Sequence, residues 1–491
     1  MNNVEQTHKA RTDVRRFADR AFSRAAGATL IEGNSVRLLK DAAQNYPAWL
    51  DAIGSARHHV LFENYIISED VVGERFAEAF LRKAGEGVSV RIIYDWLGSF
   101  GRASSRFWNR LQSGGVQVCC YNPPRLDSPF GWLSRDHRKM LAVDGQVGFI
   151  TGLCVGKAWE GVPEKNLEPW RDTGVQVRGP AVAEIESAFQ QVWVMAGGEA
   201  FNRDASTDNR ALVEAGDVAM RIVASAPATA GMFRLDQLIA ALARKRLWMT
   251  DAYYGGTPSY VEGLRAAARD GVDVRLLVPN ATDIPLLKPL SRSGYRPLLE
   301  GGVRLFEWNG TMLHAKTAVA DGRWARVGST NLNIASWFGN CELDAVVEDE
   351  AFAQEMEQMY IADLANSTEV VLDARRRVRA PGEPHQVQRR LASGRGSTGR
   401  AAAGAVRLGN AVGAAMINRR ALEPTETRML IPAAFLLLAL SALLARFPLL
   451  LIYPLLFILV WLATALLYKG FRAYRAARRA RSGQTSEKTT A

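Results

Sequence analysis

Cysteine is scarce in this chain. Four are present in 491 residues, Cys119, Cys120, Cys154 and Cys341, and no C-x-x-C or Cys/His spacing links them. That gives no sequence basis for a metal ribbon or a disulfide framework, and buried free thiols in a reducing compartment are the simplest reading. Cys119 and Cys120 are adjacent in an apparent strand, so their side chains point to opposite faces. An apolar h-region is also missing from residues 1–28, which argues against a secretory signal. Residues 1–29 read instead as an amphipathic helix, with Arg11, Arg15, Arg16, Arg20 and Arg24 among Val14, Phe17, Ala21 and Phe22. Such a helix is either a solvated leader or one that touches anionic lipid.

Positive charge is missing where a nucleic-acid enzyme needs it. The net charge is +11, yet residues 375–491 carry 20 Lys+Arg against 4 Asp+Glu, which leaves 41 against 46 in residues 1–374. A slightly acidic body with a basic C-terminal arm argues against nucleic acid as the partner.

What is present is an internal repeat. Gly87-Val88-Ser89-Val90-Arg91-Ile92-Ile93 returns as Gly271-Val272-Asp273-Val274-Arg275-Leu276-Leu277, and Gly114-Gly115-Val116-Gln117-Val118 as Gly301-Gly302-Val303-Arg304-Leu305. The segment HRKMLAVD at 137–144 returns as HAKTAVAD at 314–321. The offsets of 184, 187 and 177 imply about ten extra residues in the first half, and the Pro/Gly-rich stretch Pro123–Leu133 is the natural insertion. Each half alternates helix and strand. The first gives helices over 49–56, 72–85 and 104–113 and strands over 60–67, 88–94, 116–121, 139–143 and 147–151. The second gives helices over 235–244 and 258–269 and strands over 247–253 and 272–278. The expected fold is α/β: two pseudo-symmetric domains, 30–205 and 206–373, with parallel or mixed sheets.

Residues 374–428 have the composition of a basic linker. Met429 to Ala445 is then uncharged and apolar over 17 residues, and Leu449 to Tyr468 over 20, with Arg446-Phe447-Pro448 between them. Spanning a bilayer takes about 20 residues, so 429–468 reads as a transmembrane hairpin. Arg419, Arg420 and Arg428 before it, and the basic tail 469–491 after it, put the tail and the catalytic body on the cytoplasmic side of a bacterial inner membrane. The same flanks attract anionic headgroups.

The repeated motif carries the chemistry. His and Lys two apart on a strand share a face, and two such faces give a site with two imidazoles and two ammonium groups. His137, Lys139, Asp144, His314, Lys316 and Asp321 are therefore the candidate catalytic set. Clustered cations suit the oxygens of a phosphodiester. One imidazole attacks phosphorus, and the other acts as acid and then as base. The lysines supply the positive charge, so no metal or cofactor is called for. Asp144 and Asp321 each precede Gly and could simply start a turn. Ser329 and Asn331, in Gly328-Ser329-Thr330-Asn331, are candidate donors to phosphoryl oxygens. Glu342 and Asp172 are candidates to orient an imidazole. Tyr65, Tyr253 and Tyr254 end early strands, where core packing is the simpler role than lining the cleft.

These motifs resemble the phospholipase D superfamily, and within it the bacterial cardiolipin synthases. The resemblance runs from Leu30 to Asp373 and includes the WRDTGVQVRGPAV stretch at 170–182. It implies two α-β-α domains sharing one interfacial active site, and a ping-pong reaction through phosphohistidine with His137 as nucleophile. It further implies phospholipid partners: two phosphatidylglycerol molecules yield cardiolipin and glycerol. A phospholipase D hydrolase, or a transferase using another headgroup alcohol, is the alternative, with a nuclease less favoured. The family usually has Gly-Gly-x-Asn after the first motif. Here Thr151-Gly152-Leu153-Cys154 stands there, so Cys154 occupies the place of a phosphate-contacting Asn, and a thiol is the poorer donor. Oligomeric state is left open, because the internal pseudo-dimer removes the need for a real one.

Overall fold

The computed structural model describes residues 19–124, 134–165, 167–201, 213–283, 291–292, 294–372 and 378–379, with scattered positions between 438 and 467. Residues 1–122 and 133–406 form one compact unit, and 123–132 with 407–491 a second. The insertion expected at Pro123–Leu133 lies almost wholly outside the described residues, as do the linker 374–428 and the tail 469–491.

The first unit is built on one 16-stranded mixed sheet. In the first half run β1 (Ile31–Lys40), β2 (His59–Asn64), β3 (Ser89–Asp95), β4 (Gln117–Tyr121), β5 (Lys139–Val143), β6 (Val147–Thr151) and β7 (Thr173–Arg178). The second half holds β8 (Val218–Ser225), β9 (Arg246–Thr250), β10 (Asp273–Pro279), β11 (Arg304–Trp308), β12 (Thr317–Ala320), β13 (Trp324–Gly328) and β14 (Glu342–Glu348), followed by β15 (Ser367–Leu372) and β16 (Val378–Arg379). Their order across the sheet is β16-β15-β11-β10-β9-β12-β13-β14-β8-β1-β7-β6-β5-β2-β3-β4. Read outward from the β8–β1 pair, the order β8-β14-β13-β12-β9-β10-β11 repeats β1-β7-β6-β5-β2-β3-β4, and β15 and β16 extend the second half beyond the repeat. β1 and β8 run antiparallel, with a register shift between Ile31 and Asn34, so the internal repeat folds about a pseudo-twofold axis at this pair.

Strand alternation sorts the side chains into layers. Val60 and Phe62 face an outer core with Trp49, Phe76 and Phe80 from helices Asp41–Ser55 and Val71–Gly85. Leu61 faces inward. The second half repeats this, with Leu247 and Met249 outward and Trp248 inward. The inward residues of both halves share one core with helices Ala181–Met195 and Glu350–Leu364. Each buried side chain of this size contributes roughly 1.5–3 kcal/mol, so the central core ties the halves together.

Direction places the site. β2, β3 and β4 are parallel, as are β9, β10 and β11. β5 returns antiparallel to β2 and β12 antiparallel to β9. Each H-x-K segment therefore enters its strand at the C-terminal end of the parallel strands, where α/β sheets gather ligands.

The N-terminal helix is described over 19–26, where Phe22 packs on the second half's outer core and the Arg221 guanidinium lies 5.6 Å from its ring centroid. Residues 1–18 lie outside the described set. Most of 429–468 does too. Its described positions are helical, with Tyr453, Phe457, Val460 and Leu467 exposed. Among the described residues no helix is long and apolar enough to cross a membrane.

Candidate active site

The two motifs meet across the pseudo-twofold axis. A parallel bridge joins Asp136 to Cys341, and another joins Arg171 to Leu313. Through them the His137 N–H donates to the Cys341 carbonyl at 2.9 Å, and the His314 N–H to the Arg171 carbonyl at 2.7 Å. Each histidine is thus held by backbone of the opposite half.

The side chains cross in the same way. His137 Nδ1 lies 2.9 Å from Glu342 Oε2, and His314 Nδ1 lies 2.7 Å from Asp172 Oδ2. Both carboxylates are fully buried and the imidazoles nearly so. A carboxylate at Nδ1 favours the proton there and leaves Nε2 the unprotonated nitrogen. Lys139 Nζ donates to the His137 carbonyl at 2.5 Å, and Lys316 Nζ sits 3.0 Å from Nδ1 and 3.1 Å from Nε2 of His314. Burial, reinforced by Lys139 and Lys316, holds the His137 imidazole well below the ordinary histidine range. Burial and Lys316 lower His314 to about 3 against the pull of Asp172. Burial also lowers Lys316 to about 8. Both ammonium groups bear on both imidazoles, which makes the two motifs one site. Burial pushes Glu342 up despite Lys139, whereas Asp172 is held below its usual range because His314 and Lys316 overcome its burial.

Of the supporting candidates, Ser329 Oγ donates to Glu342 Oε2 at 2.6 Å, so it braces a carboxylate. Asn331 is buried and its Oδ1 has no partner among the described residues. Cys154, at the corresponding place in the first half, is buried within the influence of both lysines and Asp172.

Asp144 and Asp321 are not brought to the site. Each stands at the far end of its strand with φ near +50°, at 53° and 52°. Asp144 accepts the backbone N–H groups of Arg57, His58 and His59 at 2.7–2.8 Å. Asp321 accepts those of Arg244, Lys245 and Arg246 at 2.8–2.9 Å. Both start a turn and tie it to the head of a neighbouring strand, so their inclusion in the catalytic set is corrected.

The tyrosines divide. Tyr254 is core. Tyr65 and Tyr253 line the cleft instead: their rings stand edge-on to His137 at 5.0 Å and to His314 at 5.9 Å, near Lys139 and Lys316. Their near-equal spacing from the repeated strands was the available signal. Three further groups were given no role from the sequence, although Arg171 and Asn340 adjoin the candidate carboxylates there. Asn340 Nδ2 donates to Glu342 Oε1 at 3.2 Å. Buried Arg138 donates to the carbonyls of Glu342, Ala188 and Ser225. Arg171 makes a two-point contact with Asp363 at 2.9 and 2.8 Å, fixing the strand that presents Asp172.

Two strand-borne histidine–lysine pairs, facing each other across a pseudo-twofold axis with carboxylates exchanged between halves, define a phospholipase D-like enzyme. Residues 49–193 and 236–364 match the family model described as "Cardiolipin synthase, PLD-like domain". The chain is 34% identical to cardiolipin synthase A of Pseudomonas aeruginosa over 368 residues, 73% of each chain. It is 30% identical to the cardiolipin synthase of Alkalihalophilus pseudofirmus over 340 residues, 69% of this chain and 67% of the relative. Phosphatidylserine synthase of Haemophilus influenzae shares the fold, at 13% identity and a TM-score of 0.57, covering 71% of this chain and 91% of that one. The chain belongs to the cardiolipin synthase family of phospholipase D-like proteins.

Proposed function

We propose that the protein transfers a phosphatidyl group from one phosphatidylglycerol to another, forming cardiolipin and releasing glycerol. The exchanged dyads, His137–Glu342 and His314–Asp172, carry the reading. His137 Nε2 attacks phosphorus and breaks the bond to the glycerol oxygen. His314, protonated at Nε2 once the anionic phosphodiester is bound beside it, passes that proton to the oxygen as it leaves. The primary hydroxyl of the second phosphatidylglycerol then gives its proton to His314 Nε2, attacks phosphorus and displaces His137. Lys139 and Lys316 hold the phosphoryl oxygens throughout. The catalytic role of each of these residues belongs to this proposal, as do the domain limits 30–205 and 206–373.

We also propose that 429–468 forms a membrane hairpin and that the body works at the cytoplasmic face of an inner membrane. The exposed apolar helical positions near Tyr453–Leu467 support this. The decisive experiment supplies labelled phosphatidylglycerol to the detergent-purified chain. Cardiolipin with equimolar glycerol is expected; phosphatidic acid alone would overturn the transfer reading in favour of hydrolysis.

A further inference from the structure

The two dyads differ in what braces them. Glu342 Oε2, the oxygen facing His137, takes the Ser329 hydroxyl at 2.6 Å. The corresponding residue of the first half is Gly152. A Cβ there would stand 2.1 Å from Asp172 Oδ1, so no side chain fits and no hydroxyl can be offered. Asp172 Oδ2 nonetheless has a second partner. Trp159 Nε1 donates to it at 3.1 Å, while the same oxygen faces His314 Nδ1 at 2.7 Å.

Trp159 is placed to hold this bond. It lies on the short helix Lys157–Glu160, is 3% exposed, and packs in the first half's outer core. Its ring stands edge-on to His314 at 5.4 Å and 4.7 Å from Trp170. An indole has one donor and no acceptor, so this contact works only with Asp172 as the acceptor. It also leaves that oxygen's charge shared between the indole and the imidazole.

We propose that Trp159 is a positioning residue for the His314–Asp172 dyad, substituting its indole N–H for the hydroxyl that Ser329 supplies to Glu342. The bond orients the carboxylate, and it limits how strongly Asp172 favours the imidazolium. Losing it loosens the ring and raises the basicity of His314. This rests on the transferase reading for its kinetic arm only.

The test compares Trp159→Phe with a full-length chain carrying β-(3-benzothienyl)alanine at 159, which keeps the indole shape and replaces N–H with sulphur. Both are expected to lower kcat about tenfold, as for one hydrogen bond to a charged group, with KM for phosphatidylglycerol within about twofold. Both should also move the ¹⁵N-NMR titration of His314 to higher pH than in the unsubstituted protein, a readout that needs no substrate. Full activity and an unmoved titration with benzothienylalanine would overturn the proposal and leave Trp159 a shape-filling residue. An unsubstituted protein inactive on phosphatidylglycerol would count against the transferase reading alone, and the titration would still decide the role of Trp159.

Discussion

Glu342, on β14 of the second half, lies with Oε2 2.9 Å from Nδ1 of His137, which leads into β5 of the first. Neither half holds a complete dyad. Glu342→Gln keeps the shape but offers its amide where a proton must be accepted, which favours the wrong imidazole tautomer. We expect kcat to fall at least ~10²-fold, the scale of acid–base catalysis, for Glu342→Gln and for Asp172→Asn alike. A loss below threefold in either would sink the orienting role.

The roles of the two histidines separate with an activated phosphodiester whose leaving group needs no proton. His314→Asn should still form the covalent intermediate, and intact-protein mass spectrometry should place the label on His137. His137→Asn should take no label. Label on His314 in the second variant would reverse the assignment.

Much of this site was legible because strand periodicity is a local property. Two-residue spacing puts His137 beside Lys139, and repetition puts a second pair opposite. Asp172 and Glu342 were legible as carboxylates near the motifs, but not their exchange, which depends on β7 and β14 flanking the axis. β1 and β8 form that axis and went unread. Glu32, Gly33, Asn34, Ser35 and Arg37 break any apolar alternation in β1, and pairing with β7 on one side and β8 on the other makes a strand there. Trp159 sits on a four-residue helix with no periodicity to mark it.

Asp144 and Asp321 belong to the repeated motif in sequence yet to the turns in space. Asp144→Ala removes the acceptor of three backbone N–H groups and should destabilise the protein by about 1.5–3 kcal/mol, the range for a hydrogen bond to a charged group. The kcat of the folded fraction should stay within about threefold. Denaturant titration beside specific activity tests both halves of the claim, and an inactive but fully stable variant would return the residue to catalysis.

Lys316, lowered to about 8 by burial, loses its charge well before an ordinary lysine. Phosphate binding needs the charged form, so kcat/KM, which reports the free enzyme, should decline as pH rises through about 8. Bound phosphate favours the ammonium, so the limb in kcat should lie higher. Stability runs the other way. Between about 8 and the ordinary lysine value the unfolded chain binds more protons, so Lys316 contributes increasing stability as pH rises. A kcat/KM flat to pH 9.5 would show that the site does not depend on Lys316 losing its charge near 8.

Cys154 tests how symmetric the phosphate cradle must be. It follows β6 as Asn331 follows β13, and both side chains are buried. Burial raises the thiol's pKa above its ordinary value, so at neutral pH Cys154 is a protonated, weak donor. Cys154→Asn would add an amide whose N–H groups bond phosphoryl oxygens better than a thiol can. Without substrate that amide is buried and short of partners, at a cost of about 1–3 kcal/mol. The two effects have opposite signs and separate readouts. We expect KM for phosphatidylglycerol to fall about threefold to tenfold, the worth of one modest hydrogen bond, while the melting temperature of the free protein drops and substrate binding restores it. A lower melting temperature with KM unchanged would mean that residue 154 does not face the phosphate, and that the cradle rests on Asn331 and the two lysines.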